Sequence, residues 1–276
     1  RQRFANADAR EHARRALALL GEAEPARRAS LQQLLARVCE GMADRDGMAE
    51  AVAALGRAAD EADDDGTRCS ALRWQARWQM HYGDAVQGLA LAREAVALAQ
   101  RQPATVRAGA GVELMHLLGR LGRNDEVLAA ADAALAAARE AGEPHQEAVA
   151  LNQLGMSSFD RGDFEAAIGH YEAALHIHRA LARPDNEGGT LANLGFAHLG
   201  LGELDAARTL FEQAAALCQQ VGQLQNLGIV EINLGIVALN LGDAAAAAAW
   251  AARTARGARG GAPPSPRRAL THSPRS

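Results

Sequence analysis

Apolar side chains recur along the chain at the spacing of one helix face. In one stretch these positions are Phe164, Ile168, Tyr171 and Leu175, separated by steps of three and four residues. Such steps place side chains on the same side of an α-helix, whereas a half-buried strand alternates apolar and polar residues. No stretch of the sequence shows that alternation. The pattern therefore predicts an all-α fold with about twelve or thirteen helices.

The same pattern returns every forty residues. This interval separates Gly122, Gly162, Gly202 and Gly242, and also Gly155, Gly195 and Gly235. The clear copies are 151–175, 191–215 and 231–253, and weaker copies lie at 113–138, at Gly83-Asp84 and around Gly47. A fixed period of this length indicates stacked supersecondary units. We therefore expect a series of helix pairs, preceded by a lone helix at residues 4–20.

Each clear predicted pair is divided by a glycine that an acidic residue follows. Glycine adopts the left-handed conformation that ends a helix at little cost. Asp163 and Asp243 follow such glycines, and their carboxylates can accept hydrogen bonds from the free amides of the next helix. We interpret them as helix caps. The glycines at 155 and 195 are expected where two helices approach closely.

These motifs resemble the tetratricopeptide repeat, whose signature contains an L-G pair and a later A-x3-F element. The matching residues are Leu154-Gly155, Leu194-Gly195, Ala167 with Tyr171, and Ala207 with Phe211. The forty-residue period is similar to that of kinesin light chains, polarity adaptors and bacterial signalling regulators. The resemblance implies a right-handed α-solenoid of stacked antiparallel helix pairs. We predict it over residues 1–255, with about six repeats that are clearest over 145–255.

The resemblance also implies a protein or peptide ligand, extended or helical, in a concave groove lined by the first helix of each pair. Forty-residue members hold ligand backbones with an N-L-G motif, which begins here at Asn193 and Asn233. A side-chain amide both donates and accepts hydrogen bonds, which suits it to a peptide backbone. The predicted groove residues are Gln153, Asn193, Asn233, Asn152, Met156, Phe196, Phe159 and Ile236. An alternative interpretation is that the amides fix repeat stacking.

Other candidate sites are weaker. The acidic run at 60–65 matches a calcium loop only in part, because Leu72 stands where a bidentate glutamate is required. Trp74 and Trp78 are interpreted as core residues, and Cys218 lacks an activating histidine. No catalytic or dinucleotide-binding motif occurs. We therefore expect a protein that is not an enzyme and that uses no cofactor and no metal.

Composition and charge narrow the source, the partners and the cellular location expected for the protein. All 29 basic residues are arginine, which is typical of GC-rich bacterial coding. Residues 1–255 carry 24 arginines and 33 acidic residues, a net charge of −9 that disfavours nucleic acid as a partner of the folded body. Residues 256–276 hold five arginines, no acid and half of the prolines, and are predicted to be disordered. Dispersed cysteines and the lack of membrane and signal segments indicate a cytoplasmic protein.

Two functions fit these features. The first is a non-catalytic protein- or peptide-binding scaffold. The second is a regulatory or sensor arm of a larger bacterial signalling ATPase, cyclase or transcriptional activator, packed against a neighbouring domain of the same parent chain. The chain begins with Arg1 rather than methionine, which indicates an excised segment. The alanine-rich end near Trp250 lacks a polar capping helix, which predicts end-to-end self-association.

Overall fold

The computed structural model describes residues 2–21 and 24–258, and all regular secondary structure in that part of the chain is α-helical. The helices are α1 Gln2–Leu20, α2 Pro25–Gly41, α3 Arg45–Ala62, α4 Asp65–Tyr82, α5 Ala85–Ala99, α6 Ala104–Arg120, α7 Asn124–Glu140, α8 Pro144–Asp160, α9 Phe164–Ala180, α10 Pro184–Gly200, α11 Leu204–Val221, α12 Leu224–Asn240 and α13 Ala244–Ala258. The predicted all-α class and the predicted number of helices are confirmed.

The chain divides into two compact units, Arg1–Ser157 and Ser158–Ser276, with the boundary inside α8. In the first unit, α2 packs on α3, α4 on α5 and α6 on α7, while α4 also contacts α2 and α6. In the second unit, α10 packs on α11 and α12 on α13, and α12 also packs against α11. Short turns reverse the chain between partners. Each unit is therefore a stack of antiparallel helix pairs, which confirms the predicted α-solenoid class.

The turns between paired helices contain the predicted left-handed glycines and capping aspartates. Gly162, Gly202 and Gly242 adopt left-handed φ values of 80°, 78° and 78°. The Asp163 carboxylate accepts a hydrogen bond from the Ala166 amide at 3.1 Å, and Asp243 accepts one from the Ala246 amide at 2.9 Å. Because glycine adopts this conformation without a Cβ penalty, it ends one helix while the aspartate begins the next.

The weaker copy that was expected around Gly47 corresponds to the helix pair α2 and α3. Gly47 lies inside α3, and the turn between the two helices is formed by Met42 to Asp44. The Asp44 carboxylate caps α3 by accepting from the Gly47 amide at 3.0 Å. Ala43 takes the left-handed φ of 54° that glycine takes in later turns. The capping aspartate is therefore retained where the turn glycine is not.

Two other sequence interpretations concern the acidic run at 60–65 and the predicted C-terminal tail. The acidic run at 60–65 covers the end of α3, the turn residues Asp63 and Asp64, and the first residue of α4. The Asp64 carboxylate accepts a hydrogen bond from the Thr67 amide at 2.7 Å and so caps α4. At the other end, α13 continues to Ala258, three residues beyond the predicted end of the solenoid. The rest of the predicted disordered tail, 259–276, lies outside the described residues.

Candidate functional site

In the second unit, the two predicted groove asparagines occupy the same repeat position on neighbouring first helices. Asn193 lies on α10 and Asn233 on α12, and these two helices contact each other. Asn193 is half-buried, whereas Asn233 is only 2% exposed and its amide donates to the Ile229 carbonyl at 2.7 Å. The side chain of Asn193 is thus the more accessible of the two.

The predicted apolar groove residues of the second unit differ in accessibility. Phe196 is buried, and its ring meets Phe211 edge-on with centroids 5.2 Å apart. Phe159 is half-buried, and its ring centroid lies 5.4 Å from that of Phe164. Ile236 is half-buried on α12. Aromatic packing therefore holds Phe196 inside the unit, while Phe159 and Ile236 keep accessible surface.

The remaining predicted groove residues belong to the first unit, on α8. Gln153 is buried, and its side-chain oxygen lies 3.1 Å from the point that a Cβ at Gly119 would occupy. Asn152 and Met156 are half-buried, with the Asn152 amide nitrogen 3.8 Å from the Met156 sulfur. The backbone of α6 at Gly119 therefore leaves room for the Gln153 amide, and Asn152 and Met156 form an accessible pair beside it.

The sequence interpretation missed a charged network on the first helices of the first unit. Arg77 of α4 forms paired hydrogen bonds with Glu113 of α6, the Nε bond measuring 3.0 Å, and it also donates to Glu40 of α2 at 3.3 Å. Glu113 is only 3% exposed. Burial disfavours the charge of Arg77, but the Glu113 and Glu40 carboxylates outweigh it and raise the pKa of Arg77. One arginine thus ties together three successive first helices.

The sequence contains a periodic signal for this network, which the alignment of the clear repeats did not include. Glu113 precedes Gln153, Asn193 and Asn233 by multiples of forty residues, so a carboxylate occupies the position that amides hold downstream. His116 likewise precedes Met156 by forty residues, and burial lowers its pKa. The clear repeats have uncharged inner positions, whereas the weak upstream copies have charged ones. Extending the alignment upstream by the same period would have found them.

Metal binding and thiol chemistry find no suitable residues in the described part of the chain. Within 2–21 and 24–258, no group of three or more His, Cys, Asp or Glu side chains is arranged to hold a metal ion. Burial raises the pKa of the thiols of Cys39, Cys69 and Cys218, which makes them poor nucleophiles. Trp74 is buried in the first unit's core, as interpreted from the sequence, and Trp78 packs against the same core.

No described helix is long and apolar enough to cross a membrane.

The second unit ends in an apolar hollow of about 460 Å³ between α12 and α13. Gly235, Ile236 and Leu239 of α12 face Ala247 and Ala251 of α13 across it. In the preceding pair, the position of Ala251 is taken by Phe211, whose ring fills the corresponding space beside Gly195. The last pair therefore has a smaller side chain at its centre and a more open face.

A stack of antiparallel helix pairs with glycine turns and capping carboxylates defines a helical-repeat solenoid. Residues 148–186 and 187–259 each match a family model described as tetratricopeptide repeat. The tetratricopeptide repeats that the sequence motifs indicated are therefore confirmed over residues 148–259. No curated protein matches the chain significantly by sequence.

Solved structures with this fold include proteins of different kinds. BtubC (BKLC) from P. vanneervenii is 25% identical, with 100% of this chain and 98% of that chain covered and a TM-score of 0.62. A Signal Transduction ATPase with Numerous Domains from Pyrococcus horikoshii, which has a tetratricopeptide repeat sensor, is 16% identical, with 84% and 36% covered and a TM-score of 0.67. A Rap protein complexed with Competence and Sporulation Factor is 12% identical, with 84% and 75% covered and a TM-score of 0.66.

Proposed function

We propose that this chain is a non-catalytic scaffold that binds a protein or peptide through the inner faces of its first helices. The observation that carries the proposal is the tetratricopeptide repeat fold with the half-buried amide side chain of Asn193 on a first helix. Asn152, Met156, Phe159 and Ile236 supply further accessible surface on first helices. Solenoids of this kind present extended binding surfaces. A Rap protein with a similar fold is itself complexed with Competence and Sporulation Factor.

The predicted groove is tested by removing its amides. The full chain is used to capture a partner from a lysate of the source organism, and affinity for that partner is then measured by calorimetry. We expect the double substitution Asn193→Ala, Asn233→Ala to weaken binding by about 1–3 kcal/mol, because buried hydrogen bonds to the ligand are lost. Asn193→Ala alone is expected to account for most of this loss, since Asn193 is half-buried whereas Asn233 is only 2% exposed.

The control is Asn240→Ala, which removes an exposed asparagine at the end of α12. This variant is expected to bind like the unmodified chain. If affinity is unchanged in the double variant while its free energy of unfolding falls, the amides stabilise repeat stacking and the groove has been assigned to the wrong residues.

A second candidate function is the regulatory or sensor arm of a larger signalling protein. It is favoured by the similar fold of the ATPase with a tetratricopeptide repeat sensor, of which the aligned region covers 36%. In this case the ligand of the first helices is a neighbouring domain of the parent chain. A nucleotide-binding loop in any sequence that precedes Arg1 would support the sensor arm and so distinguish the two functions. The buried free thiols of Cys39, Cys69 and Cys218 fit the reducing cytoplasm proposed for either function.

The open end of the second unit supports the predicted self-association. Leu239 beside the hollow is 63% exposed, and Trp250 is half-buried with the Arg253 guanidinium 4.6 Å above its ring. We expect sedimentation velocity to show concentration-dependent association. Leu239→Ser should raise the dissociation constant at least about tenfold, because burial of a leucine contributes roughly 1.5–3 kcal/mol and 1.4 kcal/mol is a factor of ten.

The matched control for this association is Val86→Ser, which removes an exposed apolar side chain from α5 in the first unit. It should leave sedimentation unchanged. A strict monomer at the highest attainable concentration, with Trp250 fluorescence insensitive to quencher, contradicts self-association at this end.

A further inference from the structure

The hollow at the end of the second unit has one ionisable side chain among its described lining residues, Glu231. Its volume of about 460 Å³ lies within the range of small-molecule sites, and the rest of the described lining is apolar apart from Thr254. The Thr254 hydroxyl donates to the Trp250 carbonyl oxygen at 3.2 Å. Glu231 is only 6% exposed. A molecule in this hollow would therefore meet apolar walls and a single buried carboxylate.

This carboxylate stands where the clear repeats have an apolar side chain. The residues forty and eighty positions upstream of Glu231 are Leu191 and Leu151, and both leucines are buried. Burying a carboxylate is unfavourable unless hydrogen bonds compensate for the lost water. A carboxylate has about four acceptor positions, but within the described chain Glu231 has one donor, the Arg253 Nε at 3.2 Å. Glu231 therefore keeps acceptor capacity for a further donor.

The hollow side of Glu231 is open to a second cation. Neither Arg253 nor Trp250 is among the described residues that line the hollow, and the Arg253 guanidinium lies over the Trp250 ring, 4.6 Å from its centroid. The Arg253 side chain is 45% exposed, so solvent screens its charge. Residues 158–258, the described part of the second unit, hold 11 acidic residues and six arginines, a formal charge of −5. The charge of this unit thus favours a cationic ligand.

The shape of the hollow indicates an aromatic ligand. In the preceding pair, the Phe211 ring lies 2.9 Å from the point that a Cβ at Gly195 would occupy and meets Phe196 edge-on. In the last pair the glycine is retained as Gly235, but Ala251 stands in place of the phenylalanine, and both line the hollow. A ring supplied from outside can therefore occupy the space that Phe211 fills in the preceding pair.

We propose that this hollow binds an arylalkylamine, a small molecule in which a short alkyl chain joins an aromatic ring to a protonated amine. The ring lies beside Gly235 and Ala251, and the ammonium group donates hydrogen bonds to the Glu231 carboxylate. Glu231 and Gly235 are four residues apart on α12, which places them on one face and about 6 Å apart along the helix, a distance that a short alkyl chain spans. This inference is independent of the peptide-binding function proposed above.

The test measures binding of 2-phenylethylamine to the full chain by calorimetry at neutral pH, at a protein concentration at which sedimentation shows a monomer. The neutral reference is 2-phenylethanol, which has the same ring and alkyl chain with a hydroxyl group in place of the amine. We expect the amine to bind at least about tenfold more tightly than the alcohol, since hydrogen bonds between charged groups are stronger than neutral ones.

Two substitutions separate the charge of the hollow from its shape. Glu231→Gln should weaken binding of the amine about tenfold and change binding of the alcohol less than about twofold, because it removes the charge and keeps the shape of the side chain. Ala251→Phe should abolish binding of both molecules, because its ring fills the space beside Gly235. The matched control is Ala252→Phe, which adds a ring at an exposed position of α13 outside the described lining and should leave both affinities unchanged.

Equal affinity of the unmodified chain for the amine and the alcohol overturns the proposal, as does equal loss of binding in Ala251→Phe and Ala252→Phe. The comparison of the two molecules uses the unmodified chain, so it decides the outcome even if Glu231→Gln unfolds the second unit. Tighter binding of a peptide with an N-terminal phenylalanine than of 2-phenylethylamine identifies a site for a peptide end and overturns the small-molecule assignment. Absence of amine binding also overturns it, and if Leu239→Ser still weakens self-association in that case, a second copy of the chain covers the hollow.

Discussion

Glu113→Gln is expected to lower the free energy of unfolding of the first unit by about 2–3 kcal/mol. Breaking a buried ion pair leaves the remaining charge uncompensated, which typically costs about 3–5 kcal/mol. Glu113 is almost fully buried, but Arg77 keeps some exposure and a second carboxylate, Glu40. The loss should therefore fall at or below the lower end of that range. Glutamine preserves the shape of the side chain, so the effect reports the charge and not a cavity.

Urea unfolding followed by tryptophan fluorescence measures this change, because Trp74 and Trp78 both belong to the first unit. The matched control is Glu140→Gln, which removes the exposed partner of Arg107. An exposed pair contributes at most about 1 kcal/mol. A double variant with leucine at both 77 and 113 should recover much of the loss, since apolar replacement of a buried pair is often neutral. Equal effects of Glu113→Gln and Glu140→Gln would falsify the central role of the network.

The fold could be predicted from the sequence because its determinants are local and periodic. Each turn depends on a residue that tolerates positive φ and on a carboxylate next to it, and both are visible in the sequence at Gly162-Asp163 and Gly242-Asp243. Where the period weakens, the sequence predicts less detail. It indicated a weaker copy around Gly47 but did not locate the turn of that copy, in which Ala43 takes the left-handed φ that glycine takes in later turns.

The candidate site was harder to predict because repeat position does not determine accessibility. Asn193 and Asn233 share a position, yet Asn233 is buried and bonded to its own helix. Phe196 and Ile236 also share one, but Phe196 is buried with its ring edge-on against Phe211, whereas Ile236 is half-buried. The accessibility of a side chain depends on its contacts with side chains up to forty residues away in the sequence. These contacts form only after the helices stack. The charged network of Arg77 was missed for the same reason, since its three helices come from separate repeats.

Gly195 and Gly235 occupy the same repeat position, but adding a methyl group at each should change the free energy of unfolding differently. We expect Gly195→Ala and Gly235→Ala to differ in free energy of unfolding by about 1–3 kcal/mol, with Gly195→Ala the less stable. A Cβ at Gly195 would lie 2.9 Å from the ring of Phe211, which is fully buried and cannot move aside without disturbing the core. A Cβ at Gly235 would meet only Trp250 Cβ at 3.7 Å and the Ala247 carbonyl oxygen at 3.9 Å, which is ordinary contact.

Comparing the two variants isolates the free-energy cost of packing the added methyl group against its neighbours. Alanine is favoured over glycine in a helix by about 1 kcal/mol, and this gain applies equally to α10 and α12. Gly235→Ala should therefore be neutral or stabilising, while Gly195→Ala should lose the same gain to overpacking against Phe211. Urea unfolding followed by circular dichroism and by the fluorescence of Trp250 measures both. Equal stability of the two variants contradicts the close contact at Gly195.

The steric requirement for glycine can also be introduced into the last repeat by a second substitution. Ala251→Phe places an aromatic ring in the last pair where Phe211 stands in the preceding one, facing the hollow beside Gly235. In that background Gly235→Ala should become destabilising, with an unfavourable coupling of about 1–3 kcal/mol between the two substitutions. Additivity would mean that the ring does not reach the glycine. Coupling would show that glycine is required only where the partner helix supplies an aromatic side chain, which makes the L-G pair of this repeat a steric complement of its A-x3-F element.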